Sequence, residues 1–290
     1  MKTAMLKASL LALFLAPSIV SASDTRQNNF EAIHGLERGA LPLQSRYIEL
    51  SGLEGQQLFE KLHELTGQNY KTHDYRPAKR HMYDAVDNKD RKVFAAYSNL
   101  FIPKSGNRYL EEGDSNGDGV PSDFVNCEHV WPQSKFLKKK PMVSDLHHLL
   151  PTLSKPNNVR SSFPFGRVKN ASYRTTAGAE FDGYVFEPPH YLKGNVARAM
   201  LYFVVRYHDR LIFHNTDKHG FFNSRVQMFM KWHREDPPDE WEKERNNRIE
   251  RWQGNRNPFI DEPELVDKIG SEPFIQRYVH MDRMTFEQLQ

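Results

Sequence analysis

The sequence predicts a single α+β domain, and three observations carry that reading. Apolar residues recur at helical spacing in several separate segments, including Leu58, Phe59, Leu62 and Leu65 near the start and Val196, Met200, Phe203, Val204 and Tyr207 further on. Between them lie stretches rich in β-branched and aromatic residues, VFAAYSNLFI over 93–102 and parts of 163–186 around FPF and YVFEP, which read as strands. No internal repeat and no low-complexity linker divides the chain, so one domain over residues 23–290 is the economical organisation.

Taken in order, residues 1–22 come first. Lys2 and Lys7 precede an apolar run from Leu10 that closes on the small residues Val20-Ser21-Ala22. That order of charge, apolar run and small residues is a secretory signal, so the mature chain is expected to begin near Ser23 and to be secreted or periplasmic. No later segment approaches the ~20 apolar residues that span a bilayer, and no membrane partner is expected. Loss of the signal removes two lysines and no acids, taking the formal charge of the 290-residue chain from +3 to 3 − 2 = +1. A charge so near zero points to local patches, not overall field, as the determinant of partners. A single cysteine, Cys127, excludes an intrachain disulfide even in an exported protein and reads as a small buried residue. Packing must therefore supply the stability, and 38% hydrophobic residues can form the core.

Two amphipathic helices open the mature chain, the second marked by Ala78, Met82 and Val86 after Pro77. DSNGDG at 114–119 has the oxygens that begin a calcium loop, but Val125 stands where a bidentate glutamate is required, so a tight turn is expected. Ser144 is placed to cap a helix through the Leu-rich run that follows it. The apolar stripe from Gly194 to Tyr207 predicts a central helix, and Asp239 with Glu242 forms a capping box for another that stops at Gly254.

The chemistry is concentrated in VNCEHVWPQSKF, residues 125–136, where Glu128 and His129 interrupt a strand-like run. A neutral imidazole takes a proton from water near physiological pH, while a carboxylate oxygen and an amide oxygen suit a hard cation such as Mg²⁺. Glu128, His129 and Asn157 supply those three functions. Because successive residues of a regular strand face opposite ways, Glu128 and His129 can share a site only where the strand twists, bulges or ends, and Pro132 favours an end. His147 and His148 cannot both face one metal from a helix, so one is expected to pack or orient the site and the other to meet solvent. Lys135, Lys138, Lys139 and Lys140 form the densest basic cluster of the mature chain, suited to a phosphate backbone and blind to base sequence.

The blocks NCEHVWPQS, DLHHLLPTLSKPNNVRSS, KGNVARAMLYFVVRY and DPPDEWEKERNNRIERWQGNRNPFIDEPE occur in the order found in the bacterial endonuclease I family, which the chain resembles from about residue 55 to about 270. The resemblance implies a ββα-metal (His-Me finger) nuclease core within a mixed, largely helical domain. It implies His129 as general base, Glu128 and Asn157 as ligands of Mg²⁺ (Mn²⁺ or Ca²⁺ as alternatives), and hydrolysis of phosphodiesters to 5′-phosphate ends. DNA is the expected partner, RNA an open one, and a monomer the expected state. The NxxR pattern ending at Arg160 favours Asn157 over its neighbour Asn158, which stays open. Some members of the family steady the transition state with an arginine inside the hairpin; none occurs here between Val130 and Val159, leaving Lys138, Lys139, Lys140 and Arg160 as nucleic-acid-binding candidates. Two other classes remain: an exported nucleic-acid-binding protein that cleaves poorly, and a metal-dependent phosphodiesterase for small esters.

Overall fold

The computed structural model describes residues 46–275; the expected signal at 1–22 lies outside them. Contacts divide the chain into units 1–49 and 50–290, and the elements that follow belong to the second.

Helix α1 (Gly55–Gly67) buries Leu58, Phe59 and Leu62, as its spacing predicts. Helix α2 (Tyr75–His81) runs into a π-helical turn at Met82–Val86, and Ala78, Met82 and Val86 form a core cluster with Leu146, Leu149 and Ile249. Four short strands then form one antiparallel sheet in the order β1 (Asn88–Lys89), β2 (Lys92–Ala95), β3 (Leu100–Ser105), β4 (Arg108–Tyr109). Residues 93–102, expected as one strand, are thus a hairpin, with Ala95 opposite Leu100. The chain reverses over Ala96–Asn99 because Asn99 takes a left-handed backbone (φ 54°), a conformation asparagine tolerates better than most residues. That turn places Tyr97 in the interior.

Strand β5 (Val125–His129) pairs antiparallel with β6 (Leu149–Leu153) over five residue pairs, from Val125 opposite Leu153 to His129 opposite Leu149. Helix α3 (Ser154–Arg160) follows directly. The helix expected after Ser144 does not form: residues 142–148 make two 3₁₀ turns, and the Leu-rich run becomes β6. Pro151 cannot donate a helical hydrogen bond, yet it fits β6, where its carbonyl accepts from Ala96. Leu149 and Leu153, on one side of β6, join two different core clusters, so the strand stitches them together.

A small three-stranded sheet comprises β7 (Tyr173–Arg174), β8 (Glu180–Phe181) and β9 (Phe186–Glu187). FPF itself is not a strand; Phe165 makes only an isolated bridge to Phe186. Helix α4 (Lys193–Tyr207) is the expected central helix, buried around most of its circumference. Trp131, just beyond β5, stacks on Phe203 of α4 (centroids 4.9 Å apart) and donates to the Ile212 carbonyl, anchoring the end of the strand to that helix. After α5 (Lys218–Phe221) and α6 (Val226–Glu235), helix α7 (Glu240–Gln253) starts as predicted, with the Asp239 side chain accepting from the Glu242 amide at 2.7 Å. Glu242 does not close the capping box, since its carboxylate is taken by the buried Arg198. Gly254 stops α7 at φ 88°, where a side chain would meet the Asn69 carbonyl oxygen at 2.1 Å. From α7, Arg245 grips Asp87 through two bonds of 2.7 and 3.0 Å and reaches the Leu146 and Leu149 carbonyls, holding the start of β6 in place. Short helices α8 (Pro258–Asp261) and α9 (Leu265–Ile269) complete an α+β arrangement.

Candidate active site

Asp123, just before β5, fixes where α3 begins. Its carboxylate accepts from the Ser154 hydroxyl and, at 2.8 Å, from the Lys155 amide, satisfying a free donor at the helix start. Seated in this way, α3 presents Asn157 to β5: its amide nitrogen donates to Asn126 Oδ1 at 2.6 Å and to the Cys127 carbonyl at 3.3 Å. The Asn157 amide oxygen is left without a partner among the described residues. Asn158 is exposed on the same helix, and the structure brings Asn157, not Asn158, to the strand.

Glu128, only 2% exposed, projects among polar partners. Its Oε1 accepts from the Tyr97 hydroxyl at 2.9 Å and pairs with Arg160 Nη1 at 3.0 Å. Burial pushes its carboxyl up to about 7, against the pull of Arg160 and Tyr97. Arg160 is itself 1% exposed, and its guanidinium also donates to the His129 carbonyl (2.9 Å) and the Val130 carbonyl (2.6 Å). It was expected as a nucleic-acid contact; the structure shows it buried, as a clamp on the end of β5.

His129 is 4% exposed and lies in aromatic surroundings, its ring 5.3 Å from Tyr75, 5.5 Å from His148 and 6.4 Å from Phe136. Burial and the neighbouring His148 push its imidazole down to about 3, although the Val143 carbonyl pulls the other way. His129 is therefore neutral at physiological pH. Nε2 lies 3.1 Å from the Val143 carbonyl, an acceptor only, which assigns the proton to Nε2 and leaves the Nδ1 lone pair open. Strand β5 ends at His129, a strand end of the kind that Pro132 leads one to expect.

The other conspicuous residues separate. His147 and His148 are both buried, so neither meets solvent as expected: His147 bonds the Asn255 carbonyl, and His148 bonds the Met142 carbonyl while packing on His129. Lys138, Lys139 and Lys140 are exposed on the loop between β5 and β6, Lys140 paired with Asp74 at 2.6 Å. Lys135 leaves that cluster, buried against Phe221 and bonded to Thr216. DSNGDG is a turn: Asp114 accepts from the Asp118 and Gly119 amides, and Glu111 occupies the inside of the loop, accepting from Ser115 and Asn116. Cys127 is a free thiol pushed up to about 12 by burial, hence unreactive.

Sequence reasoning missed Tyr97, Tyr75 and the half-buried Lys79. Tyr97 was hidden by reading its turn as strand, whereas Tyr75 and Lys79 stand four apart on a predicted helix, a signal that marks one face without saying what that face meets. Among the described residues no cluster of three or more His, Cys, Asp or Glu side chains could cage a metal. A carboxylate oxygen of Glu128 and the amide oxygen of Asn157 are nonetheless the hard donors that suit Mg²⁺, which takes one or two protein ligands and completes its shell with water and phosphate.

The sequence model of Endonuclease I matches residues 54–264. The chain is 35% identical over 169 residues to an extracellular ribonuclease of Bacillus subtilis (strain 168), covering 55% of this chain and 58% of that one. An extracellular deoxyribonuclease of Aeromonas hydrophila is 32% identical over 124 residues (41% of this chain, 50% of that one). Endonuclease-1 of Buchnera aphidicola subsp. Acyrthosiphon pisum is 32% identical over 126 residues (42% and 46%). The chain spans about half the length of the curated relatives it matches. No helix among the described residues is long and apolar enough to cross a membrane.

Proposed function

Because the chain belongs to the endonuclease I family, we propose that it is an exported, monomeric, metal-dependent endonuclease that hydrolyses DNA, and RNA as well, without sequence preference. The observation that carries this reading is the seating of Asn157 on β5, bonded to Asn126 and to the Cys127 carbonyl, on the strand that also carries the Glu128 carboxylate and the neutral His129. These three side chains, on strand, strand end and helix, form the reacting part of a ββα-metal core.

His129 Nδ1 takes a proton from water as its oxygen attacks phosphorus, and the Val143 carbonyl steadies the charged ring that results. Aromatic walls keep the ring neutral until then, and the negative charge of a bound phosphate favours the protonated product. Glu128 and Asn157 would hold a divalent ion, best Mg²⁺ with Mn²⁺ or Ca²⁺ as alternatives, which when bound stabilises charge on the phosphate and the departing 3′ oxygen. Arg160 and Tyr97 keep the carboxylate aimed at that position before substrate arrives. The exposed Lys138 and Lys139 would lie along the phosphate backbone, a contact that positions a strand and reads no bases. Relatives named ribonuclease and deoxyribonuclease at similar identity support a site that accepts both sugars.

The test is purified protein with supercoiled plasmid and, separately, with RNA. Cleavage of both to 5′-phosphate ends, stopped by EDTA and restored by added Mg²⁺, is the expected result. Undiminished cutting in excess EDTA, or no cutting of either polymer, would overturn the reading.

A further inference from the structure

The hairpin holds no arginine, and Arg160 is engaged by Glu128 and by the His129 and Val130 carbonyls, so the cation that meets the phosphate under attack is to be sought among the lysines. The remaining basic side chains near β5 can be compared one by one. Lys135 is buried against Phe221 and Thr216. Lys140 is neutralised by Asp74. Lys138 and Lys139 project from the loop surface, both exposed. Lys155 is half-buried in the first turn of α3, where its amide donates to Asp123. Lys79 is distinguished by lying over a ring that neighbours His129. It stands on α2, half-buried, with Nζ 5.5 Å from the centre of the Tyr75 ring, and that ring lies 5.3 Å from His129. It makes no ion pair among the described residues.

Resting on the nuclease reading above, we propose that Lys79 is the catalytic cation of this site, contacting a non-bridging oxygen of the scissile phosphate from the His129 side, opposite the Glu128 and Asn157 oxygens. In the step it serves, His129 takes a proton from water and the new P–O bond forms. The P–O3′ bond breaks, and its electron pair leaves with O3′, which takes a proton from solvent. Lys79 exchanges no proton. Its ammonium neutralises the charge that grows on the phosphoryl oxygens, an interaction stronger in the transition state than in the bound substrate. The Tyr75 ring holds the lysine stem and favours a localised cation, so little ordering is needed when substrate arrives. The Lys140–Asp74 pair joins the start of α2 to the basic loop.

The experiment compares wild type with Lys79→Met, which keeps the apolar stem on Tyr75 and removes the charge, Lys79→Arg, which restores it, and Lys139→Met as a contrasting loop cation. Steady-state cleavage of a labelled duplex gives kcat and KM, and fluorescence anisotropy in EDTA gives duplex affinity without turnover. Lys79→Met should lower kcat by roughly 10²-fold, the scale for one lost transition-state donor, with affinity in EDTA little changed and Lys79→Arg recovering most of the rate. Lys139→Met should act on binding instead, weakening duplex affinity in EDTA. Should Lys79→Met lose the wild-type circular dichroism spectrum, Lys79→Gln carries the same expectation. Wild-type kcat in a folded Lys79→Met or Lys79→Gln protein, or a loss of rate that Lys79→Arg shares in full, overturns the proposal and leaves the nuclease reading intact. A wild type that cuts no nucleic acid overturns both.

Discussion

On one face of β5 Glu128 is met by Arg160 and Tyr97; on the other, one residue later, His129 is met by Tyr75, Phe136 and His148. Both side chains are almost fully buried, yet the two environments do opposite things with burial. The Glu128 side supplies a permanent cation and a hydroxyl, which make a carboxylate tolerable inside the protein and fix its direction. The His129 side supplies rings and one carbonyl, which keep an imidazole uncharged and fix its tautomer. A single strand end therefore carries an oxygen donor and a proton acceptor that neither neutralise nor displace each other. Arg160 links the faces, since the guanidinium that pairs with Glu128 also holds the His129 carbonyl.

That comparison breaks first at Arg160. Arg160→Met leaves Glu128 buried without its cation and frees two backbone carbonyls, a loss of about 3–5 kcal/mol by analogy with other broken buried pairs. Urea unfolding would measure it, and Arg160→Met combined with Glu128→Gln should recover part of the loss. A destabilisation below ~1 kcal/mol, the range of an exposed pair, would show that the clamp does not hold the strand end.

Acid provides a smaller, graded test. His129 is pushed down to about 3, and His147, His148 and His233 to about 4, all chiefly by burial. A folded-state value below the unfolded one gives stability that is present above about 6.5 and lost as pH falls towards those values. Glu128, raised to about 7, works in the opposite sense, since its stability is present below its unfolded value and lost as pH rises through 7; Glu242, also raised by burial, does the same. His81 and His208 are lowered by burial as well, and Asp236 and Glu262 raised, so the lowered histidines still outnumber the raised acids and stability should fall on acidification from pH 6.5 to 4.5, each unmatched proton being worth ~1.4 kcal/mol per pH unit. Thermal melts across that window check the slope, and His148→Phe should flatten it by about one proton. A melting temperature that rises steadily as pH drops from 6.5 would show that the aromatic side does not keep its histidines neutral.

The comparison also shows which parts of the molecule could be read from its sequence. Helical spacing found α1 and α4 because each buries an apolar stripe, and α2 because its stripe continues through Met82 and Val86; α7 buries mostly polar side chains and is legible from Asp239 and Gly254 at its ends. The run after Ser144 misleads because Leu-rich composition suits helix and buried strand alike, and only pairing with β5 decides between them. Glu128 and His129 were conspicuous as polar residues in an apolar run. Their supports were not: Tyr97 reaches Glu128 across 31 positions, Arg160 reaches His129 across the same distance, and Tyr75 approaches from another helix. Contacts of that separation leave no local periodicity to find. Arg160 looked like a surface cation because arginine usually is one, and its burial follows only from the packing of α3 on β5.

The division of labour between the two faces is tested most directly by cleavage rates of Glu128→Ala and His129→Ala measured over a titration of Mg²⁺, with circular dichroism confirming that each variant is folded. Glu128→Ala should lose activity at low Mg²⁺ and regain a substantial part at high Mg²⁺, because a lost oxygen donor weakens the site without removing the base. His129→Ala should remain at least ~10²-fold below wild type at every Mg²⁺ concentration, the lower end of what a general base contributes. Rescue of His129→Ala by metal, or cutting by it at the wild-type rate, would contradict the assignment of this strand end as the catalytic centre.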